Sequence, residues 1–282
     1  MTPIVFPGLG FQVTVNPVAF NLFGKDVYWY GMIIACGFLL ALAFMVKHAA
    51  QFGAKEDDVV DMMLWAMPIA LVGARVYYVL FYQSLFRDAR GVFQWGRAVA
   101  IWDGGIAVYG GIIAGVTTAV VFSRIRKISF WALADTTSFG LFIGQAVGRW
   151  GNFVNQEAYG GACTAPWRMG LTVAGNYIEV HPTFLYESLW NLTGLCLLYL
   201  VLRPRRRFSG QMFLSYVFWY GLGRFWIEGL RTDSLYLFET GIRVSQLLAA
   251  VSALASLAVI LVQLKRIKQA APKTEAAREK KE

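Results

Sequence analysis

Charge is scarce in this chain. Asp, Glu, Lys and Arg make up 15% of its residues against 57% apolar ones, and the mean hydropathy is +0.50. A sequence this poor in charge excludes an ordinary soluble domain and predicts a membrane protein. Histidine and cysteine are rarer still, with two and three copies. No Cys/His group has metal-ligand spacing and His-Glu-x-x-His is missing, so no metal site is expected. Gly-x-Ser-x-Gly is missing too, which removes the commonest serine-hydrolase signature. Cys36 and Cys196 fall in apolar runs and read as packing residues. Cys163 stands alone in a polar stretch, so no internal disulfide is expected there, and a nucleophilic role is only an alternative to packing. His48 reads as an interfacial residue. Repeats of solenoid length are absent, as is any similarity between halves of the kind inverted-repeat transporters carry.

What the chain does have is long apolar runs. At about twenty residues per span they predict an all-α polytopic fold with seven transmembrane helices. These fall near 27–46, 59–82, 104–123, 130–148, 183–202, 211–228 and 244–264. Residues 1–26 lack a basic n-region and a continuous apolar core, and they carry Pro3, Pro7 and Pro17. They are expected to form an extended or interfacial segment rather than a cleavable signal peptide. The reading is of one transmembrane domain over 1–268, with a small outer cap near 150–180 and a solvated, Ala/Lys/Glu-rich tail at 269–282. The cap rests on the irregular Gly, Asn and Pro content of that stretch.

Net charge is +9, but its distribution speaks for membrane orientation rather than nucleic acid. An odd number of spans puts the termini on opposite sides. With the N-terminus outside, the inner segments hold Lys47, Lys55, Arg124, Arg126, Lys127, Arg203, Arg205, Arg206 and Arg207. The tail adds Lys265, Arg266, Lys268, Lys273, Arg278, Lys280 and Lys281. The outer segments hold half as many: Lys25, Arg87, Arg90, Arg97, Arg149, Arg168, Arg231 and Arg243. The positive-inside rule then predicts N-out and C-in.

Glycines explain themselves first as packing. Gly140, Gly144 and Gly148 recur every fourth residue, as do Gly111 and Gly115, which lets helices approach closely in lipid. The doublets Gly104-Gly105 and Gly110-Gly111 are denser than packing needs and suit a bend or an approach to a ligand.

Polar residues beside or within apolar runs are the exception that asks for a function. Arg149, Asn152, Asn155 and Glu157 directly follow the fourth predicted span. Arg224, Glu228 and Arg231 fall within about 60° on one helical face. An Arg–Glu pair that only locks helices together is the plain reading. Two arginines on one glutamate, with Arg149 at a similar depth, leave positive charge near the interface. Guanidinium donates paired hydrogen bonds to phosphate oxygens, and the amides and Glu157 bond hydroxyls. The set suits a phospholipid headgroup that bears a phosphate and a polyol.

The stretch Gly148-Arg149-Trp150-Gly151-Asn152-Phe153-Val154-Asn155-Gln156-Glu157 resembles the signature of the prolipoprotein diacylglyceryl transferases. The resemblance runs through Trp29-Tyr30-Gly31, Gly73-Ala74-Arg75 and Trp102-Asp103-Gly104-Gly105. It continues with His181-Pro182-Thr183, Tyr186-Glu187, and Gly223-Arg224-Phe225 with Glu228 and Arg231. It implies a bacterial inner-membrane enzyme that moves the diacylglyceryl group of phosphatidylglycerol to the lipobox cysteine of a prolipoprotein signal peptide. A thioether forms, glycerol phosphate leaves, and no cofactor is used. It also implies that Arg149 holds the headgroup and that Arg224 is essential. Tyr30 is a candidate donor to lipid or an interfacial anchor.

The base that takes the thiol proton stays open. Several relatives have histidine before the second glycine pair, where this chain has Tyr109, and a phenol is a poor base at neutral pH. His181 is the remaining histidine candidate; otherwise it orients Glu187 or caps a helix. The arginine field alone is the third possibility. A secondary transporter or channel for an anionic solute, and a non-catalytic lipid-binding scaffold, are the competing classes.

Overall fold

The computed structural model describes residues 3–279 apart from Asp233, Phe238 and Glu239, and most of them are helical. The chain separates into two compact units, Met1–Phe44 with Ala134–Glu282, and Met45–Leu133. Strands come first: β1 (Ile4–Phe6), β2 (Phe11–Val13), β3 (Val18–Leu22) and β4 (Lys25–Tyr28). Long helices α1 (Trp29–Phe52) and α2 (Glu56–Phe81) follow, then the short α3 (Trp95–Val99), α4 (Val108–Arg126) and α5 (Phe130–Asn155). After β5 (Met169–Val173) and β6 (Asn176–Val180) come α6 (Thr183–Cys196), α7 (Gln211–Leu230) and α8 (Val244–Glu279). α6 runs on through a π-type turn at Leu197–Leu202 and a 3-10 turn at Arg203–Arg205.

A helix occupies each of the seven predicted places. Five of them are long and apolar enough to cross a membrane: Trp29–Phe52, Glu56–Phe81, Val108–Arg126, Thr183–Arg205 and Val244–Ala270. α5 and α7 are less apolar because they carry Asp135, Gln145, Arg149 and Asn152 on one and Gln211, Arg224 and Glu228 on the other. The chain is a multi-pass membrane protein. Lys280 and Lys281 of the basic tail lie outside the described residues.

Two expectations need correction. The fourth helix does not stop at Gly148: α5 continues to Asn155, so Arg149 and Asn152 sit on its last turns rather than in a following loop. Nor is the fold wholly helical. β1 pairs with both β2 and β5, and β5 with β6, in an antiparallel sheet of order β2-β1-β5-β6. β3 and β4 form a separate hairpin. Strands of three to five residues are too short for a readable two-residue alternation. Ile4, Phe6, Met169, Leu171 and Val180 form the buried face of the larger sheet, against Phe184 of α6 with Phe153 of α5 packed beside them. Burying side chains of this size stabilises by about 1.5–3 kcal/mol each where the alternative is water. The sheet thereby ties the N-terminal segment to the ends of α5 and α6.

Between helices in lipid the contacts must come from close packing, since lipid tails are as apolar as leucine. In the first unit the Trp190 and Trp219 indoles stack at 4.5 Å, and each donates 2.9 Å to the backbone carbonyl of the other. Gly194 and Gly223 make room, because a Cβ at either would lie 2.5 Å or less from an indole. This lock sets α6 against α7. Gly221 lets α7 meet α8, where a Cβ would lie 2.8 Å from the Ala249 carbonyl. Of the predicted stripe on α5, Gly148 makes its contact, with a Cβ position 3.2 Å from Ile34, whereas Gly144 meets nothing within 4 Å.

In the second unit α2 and α4 meet through Gly73 and Gly110. A Cβ on Gly110 would lie 2.4 Å from both the Gly73 carbonyl oxygen and Tyr77 Cβ. Gly110 is thus a packing residue, and Gly111 and Gly115 make looser contacts with Ala70 and Ala74. Gly104 and Gly105 have φ of 79° and 74° and turn the chain toward α4, as their density suggested. Buried Arg75 holds this turn by donating to the carbonyls of Arg97, Ala98, Ala100, Gly104 and Gly105. Gly110→Ala is expected to lower stability by about 1–3 kcal/mol through overpacking. The check is the thermal midpoint in detergent, with Gly96→Ala, which meets nothing within 4 Å, as the unaffected control.

Candidate functional site

Three helix ends of the first unit bring the predicted polar residues together: the last turns of α5, the first two turns of α6 and the end of α7 with the residue after it. Arg149 projects from α5, and its Nη1 donates to Asn152 Oδ1 at 3.3 Å, one turn on. Asn152 Nδ2 in turn donates to Glu157 Oε1 at 2.9 Å. Glu157 comes back to the helix because the chain reverses through Gln156 (φ 54°) and Ala158 (φ 57°), and its N–H donates 3.0 Å to the Asn152 carbonyl. Two non-glycine residues in the left-handed region cost about 1–2 kcal/mol each, and such strain gathers where a fold must aim a segment.

The reversed segment then bridges α6 and α7. Gly160 N–H donates 3.0 Å to the His181 carbonyl and Gly161 N–H donates 2.7 Å to the Leu230 carbonyl. Gly160 has no room for a side chain: a Cβ there would lie 2.7 Å from His181 Cβ and 2.9 Å from the Leu230 oxygen. Arg231 pairs with Gly160 as an isolated β-bridge, since α7 has ended at Leu230 and Arg231 is extended (φ −77°, ψ 150°).

The centre of the network is Glu187, in the second turn of α6. Its carboxylate is 4% exposed and lies 2.5 Å from Arg149 Nη2, 3.2 Å from Arg224 Nη1 and 3.5 Å from Arg231 Nη1. Arg224 Nη2 also pairs at 2.5 Å with Glu228, four residues on and 2% exposed. The glutamate that two arginines of the Arg-x-x-x-Glu-x-x-Arg element share is therefore Glu187. Helical periodicity failed for Arg231 because that residue lies beyond the helix. A fourth guanidinium, Arg243, donates to the Glu228 backbone carbonyl.

The remaining candidates divide. Tyr30 belongs to the cluster's surroundings, its ring packed so closely on α5 that a Cβ on Gly151 would lie 2.7 Å from it. Asn155 ends α5 with its side chain exposed. His181 Nδ1 lies 3.2 Å from Tyr186 Oη, and that oxygen accepts from Trp167 Nε1 at 2.7 Å. Tyr109 stands in the other unit, exposed on the first turn of α4. Cys163 is buried with its N–H bonded to the Glu179 carbonyl, which fits packing. Among the described residues no group of three or more His, Cys, Asp or Glu side chains could hold a metal ion.

Chemically, three guanidiniums face two carboxylates, so the cluster carries surplus positive charge at low exposure. Such an arrangement binds an oxyanion through paired N–H bonds. The second unit has a cavity of about 510 Å³, but its lining is mostly apolar, with Val72, Val76, Leu80, Trp95 and Val99. The cations on it, Arg75 and Arg87, are spent on backbone carbonyls.

Residues 17–262 match the family model described as prolipoprotein diacylglyceryl transferase. The chain belongs to that family. Its similarity to individual members is extensive. It is 44% identical over 271 residues to the phosphatidylglycerol–prolipoprotein diacylglyceryl transferase of Bacillus velezensis, covering 92% of this chain and 95% of the relative. The enzymes of the same name from Listeria innocua and Enterococcus faecalis are each 44% identical, over 92% and 88% of this chain and 92% and 91% of theirs. The stretch 148–157 thus lies at the end of α5, and Tyr186-Glu187 supplies the carboxylate on which the arginines converge. Sequence reasoning met Glu187 in the Tyr186-Glu187 element and as a group for His181 to orient, but did not place it among the arginines' partners.

Proposed function

We propose that this protein transfers the diacylglyceryl group of phosphatidylglycerol to the lipobox cysteine of prolipoproteins, the first step of lipoprotein maturation. The convergence of Arg149, Arg224 and Arg231 on one buried carboxylate is the observation that carries the reading. The family's relatives are transferases by name, which leaves the transporter and scaffold alternatives without support. We take α5 and α7 to span the membrane along with the five more apolar helices. The N-terminus is then outside a bacterial inner membrane and the tail cytoplasmic. The sheet β2-β1-β5-β6 with the segment from Trp150 to Val180 forms the outer cap.

In this mechanism the cysteine sulfur attacks the glycerol carbon that carries the phosphate ester. A carbon–sulfur bond forms, the carbon–oxygen bond breaks with its electron pair going to oxygen, and glycerol phosphate leaves. Arg149 binds the phosphate, while Arg224 and Arg231 stabilise the charge that develops as the bond breaks. Asn152, Asn155 and Glu157 bond the headgroup hydroxyls, Tyr30 donates to lipid, and Glu228 holds Arg224. The thiol, with an unperturbed pKa of about 8.5, must lose its proton, which restores the balance by ending on the leaving phosphate or in solvent. We take His181 as the base, with the arginine field alone as the alternative. The Tyr186 hydroxyl at Nδ1 orients that ring, and in the tautomer whose Nδ1–H donates to it Nε2 is the nitrogen that takes the proton.

The experiment is transfer by purified, detergent-solubilised protein from phosphatidylglycerol to a fluorescent lipobox peptide. A lipidated product with the Cys peptide and none with its Cys→Ser counterpart is expected; equal products or none would refute the proposal. For the base, His181→Gln is expected to lower turnover about a hundredfold and to remove the acid limb of the rate–pH profile. A variant with the wild-type rate and profile would exclude His181.

A further inference from the structure

Glu187 does no chemistry in the mechanism above, yet three guanidiniums converge on it from α5 and α7. Its backbone is tied down on both sides. Asn191 Nδ2 donates to the Glu187 carbonyl at 2.8 Å, and Ser188 Oγ donates across to the Ala146 carbonyl of α5 at 2.9 Å, one turn from Arg149. These bonds fix the stretch of α6 from which the Glu187 carboxylate reaches the arginines.

Three like charges in one small, poorly hydrated volume repel unless an anion sits among them. A bound phosphate would serve, but only while it is bound. To guanidinium, a carboxylate offers the same feature as a phosphate, anionic oxygens that accept paired N–H bonds. We infer that Glu187 is a positioning residue, a built-in counter-anion that keeps Arg149, Arg224 and Arg231 converged and competes with phosphate for them. The inference rests on reading this cluster as the phosphate site.

Two effects follow from that competition. The arginines are already aimed when the lipid arrives, so little reorganisation opposes binding. When the ester bond breaks, the leaving glycerol phosphate gains charge over the diester, and the competing carboxylate keeps the cluster from retaining it. Glu228 cannot substitute, because it reaches Arg224 from the same helix.

The test uses E187Q, which removes the charge and keeps the size, and E187D, which keeps the charge and shortens the reach. Inorganic phosphate and glycerol phosphate are titrated calorimetrically into the full-length proteins in detergent. E187Q is expected to bind both anions about tenfold more tightly than wild type, the coupling of two competing ligands. Its product inhibition tightens in parallel while kcat falls about a hundredfold. E187D is expected to hold the wild-type phosphate affinity to within about threefold while kcat still falls. A residue that only supports the fold would weaken phosphate binding and turnover together in both variants, and that result, or an unchanged affinity in E187Q, overturns the inference. Should E187Q not be recovered folded, infrared difference spectra of the wild type decide: added phosphate is expected to shift a carboxylate stretch, and no shift overturns the inference. The binding arm needs no turnover, so wild-type protein that binds phosphate without transferring would count against the transferase reading instead.

Discussion

Arg224→Ala and Arg149→Ala are each expected to lower diacylglyceryl transfer by about a thousandfold or more, while both variants insert and purify as the wild type does. Removing one preorganised donor to a developing oxyanion typically costs about a hundred- to a thousandfold in kcat. These two guanidiniums face the same charge, so losses at the upper end are expected. Truncating either also leaves buried Glu187 with one cation fewer, and Arg224→Ala strips Glu228 of its ion pair. Arg→Lys should recover little. Lysine supplies the charge but not the parallel N–H pair, and its single ammonium cannot meet Glu187 and Glu228 together as Nη1 and Nη2 of Arg224 do. Turnover with phosphatidylglycerol and a lipobox peptide, scaled to folded protein, is the measurement. Near-wild-type rates in both alanine variants would remove the arginines from the mechanism.

The second large effect lies at the other end of the same helices. Asp135 is fully buried near the start of α5 and accepts from Gly210 N–H at 2.8 Å and Phe213 N–H at 2.9 Å, with Arg206 3.1 Å away. It satisfies N–H groups at the start of α7, which has no cap from its own Gly210, and it balances one arginine of the Arg-Pro-Arg-Arg-Arg turn. Asp135→Ala orphans those N–H groups and removes the buried carboxylate that faces Arg206. Breaking such a pair from one side costs about 3–5 kcal/mol. A large fall in the detergent thermal midpoint is expected, with Asp135→Asn intermediate because its carbonyl oxygen still accepts. The folded fraction of either variant should turn over normally, since neither touches the arginine cluster. An Asp135→Ala variant that melts with the wild type would contradict this account of how α7 is anchored.

The sequence made some of this legible for identifiable reasons. Helices were readable because a run of about twenty apolar residues has few other uses. Arg149, Arg224 and Glu228 were readable because charge contrasts sharply with such runs, and the i,i+4 spacing of Arg224 and Glu228 became an ion pair as helical geometry requires. What the residues hid was long-range. Nothing near Glu187 in the chain announces Arg149, Arg224 or Arg231, which reach it from other helices. The sheet was hidden likewise, because β1 finds β5 far along the chain through strands too short to show a pattern. Arg231 was assigned to the right cluster for a partly wrong reason, since it arrives by an extended bridge to Gly160 rather than on a helical face. The end of α5 was set too early because the apolar run stops at the charged Arg149 while the helix does not. In fact Gly151 lets the Tyr30 ring pack on the helix, and the turn signal is the left-handed pair Gln156 and Ala158.

We propose that the arginine cluster serves displacement of a phosphate ester by a thiol. The most direct test follows both products at once, with purified wild-type protein in detergent, headgroup-labelled phosphatidylglycerol and a lipobox peptide. One glycerol phosphate released for each peptide thiol lost, with no membrane gradient and no added metal or cofactor, is the predicted result. Peptide modification without glycerol phosphate release, or release that continues unchanged when the peptide cysteine is replaced by serine, would contradict it.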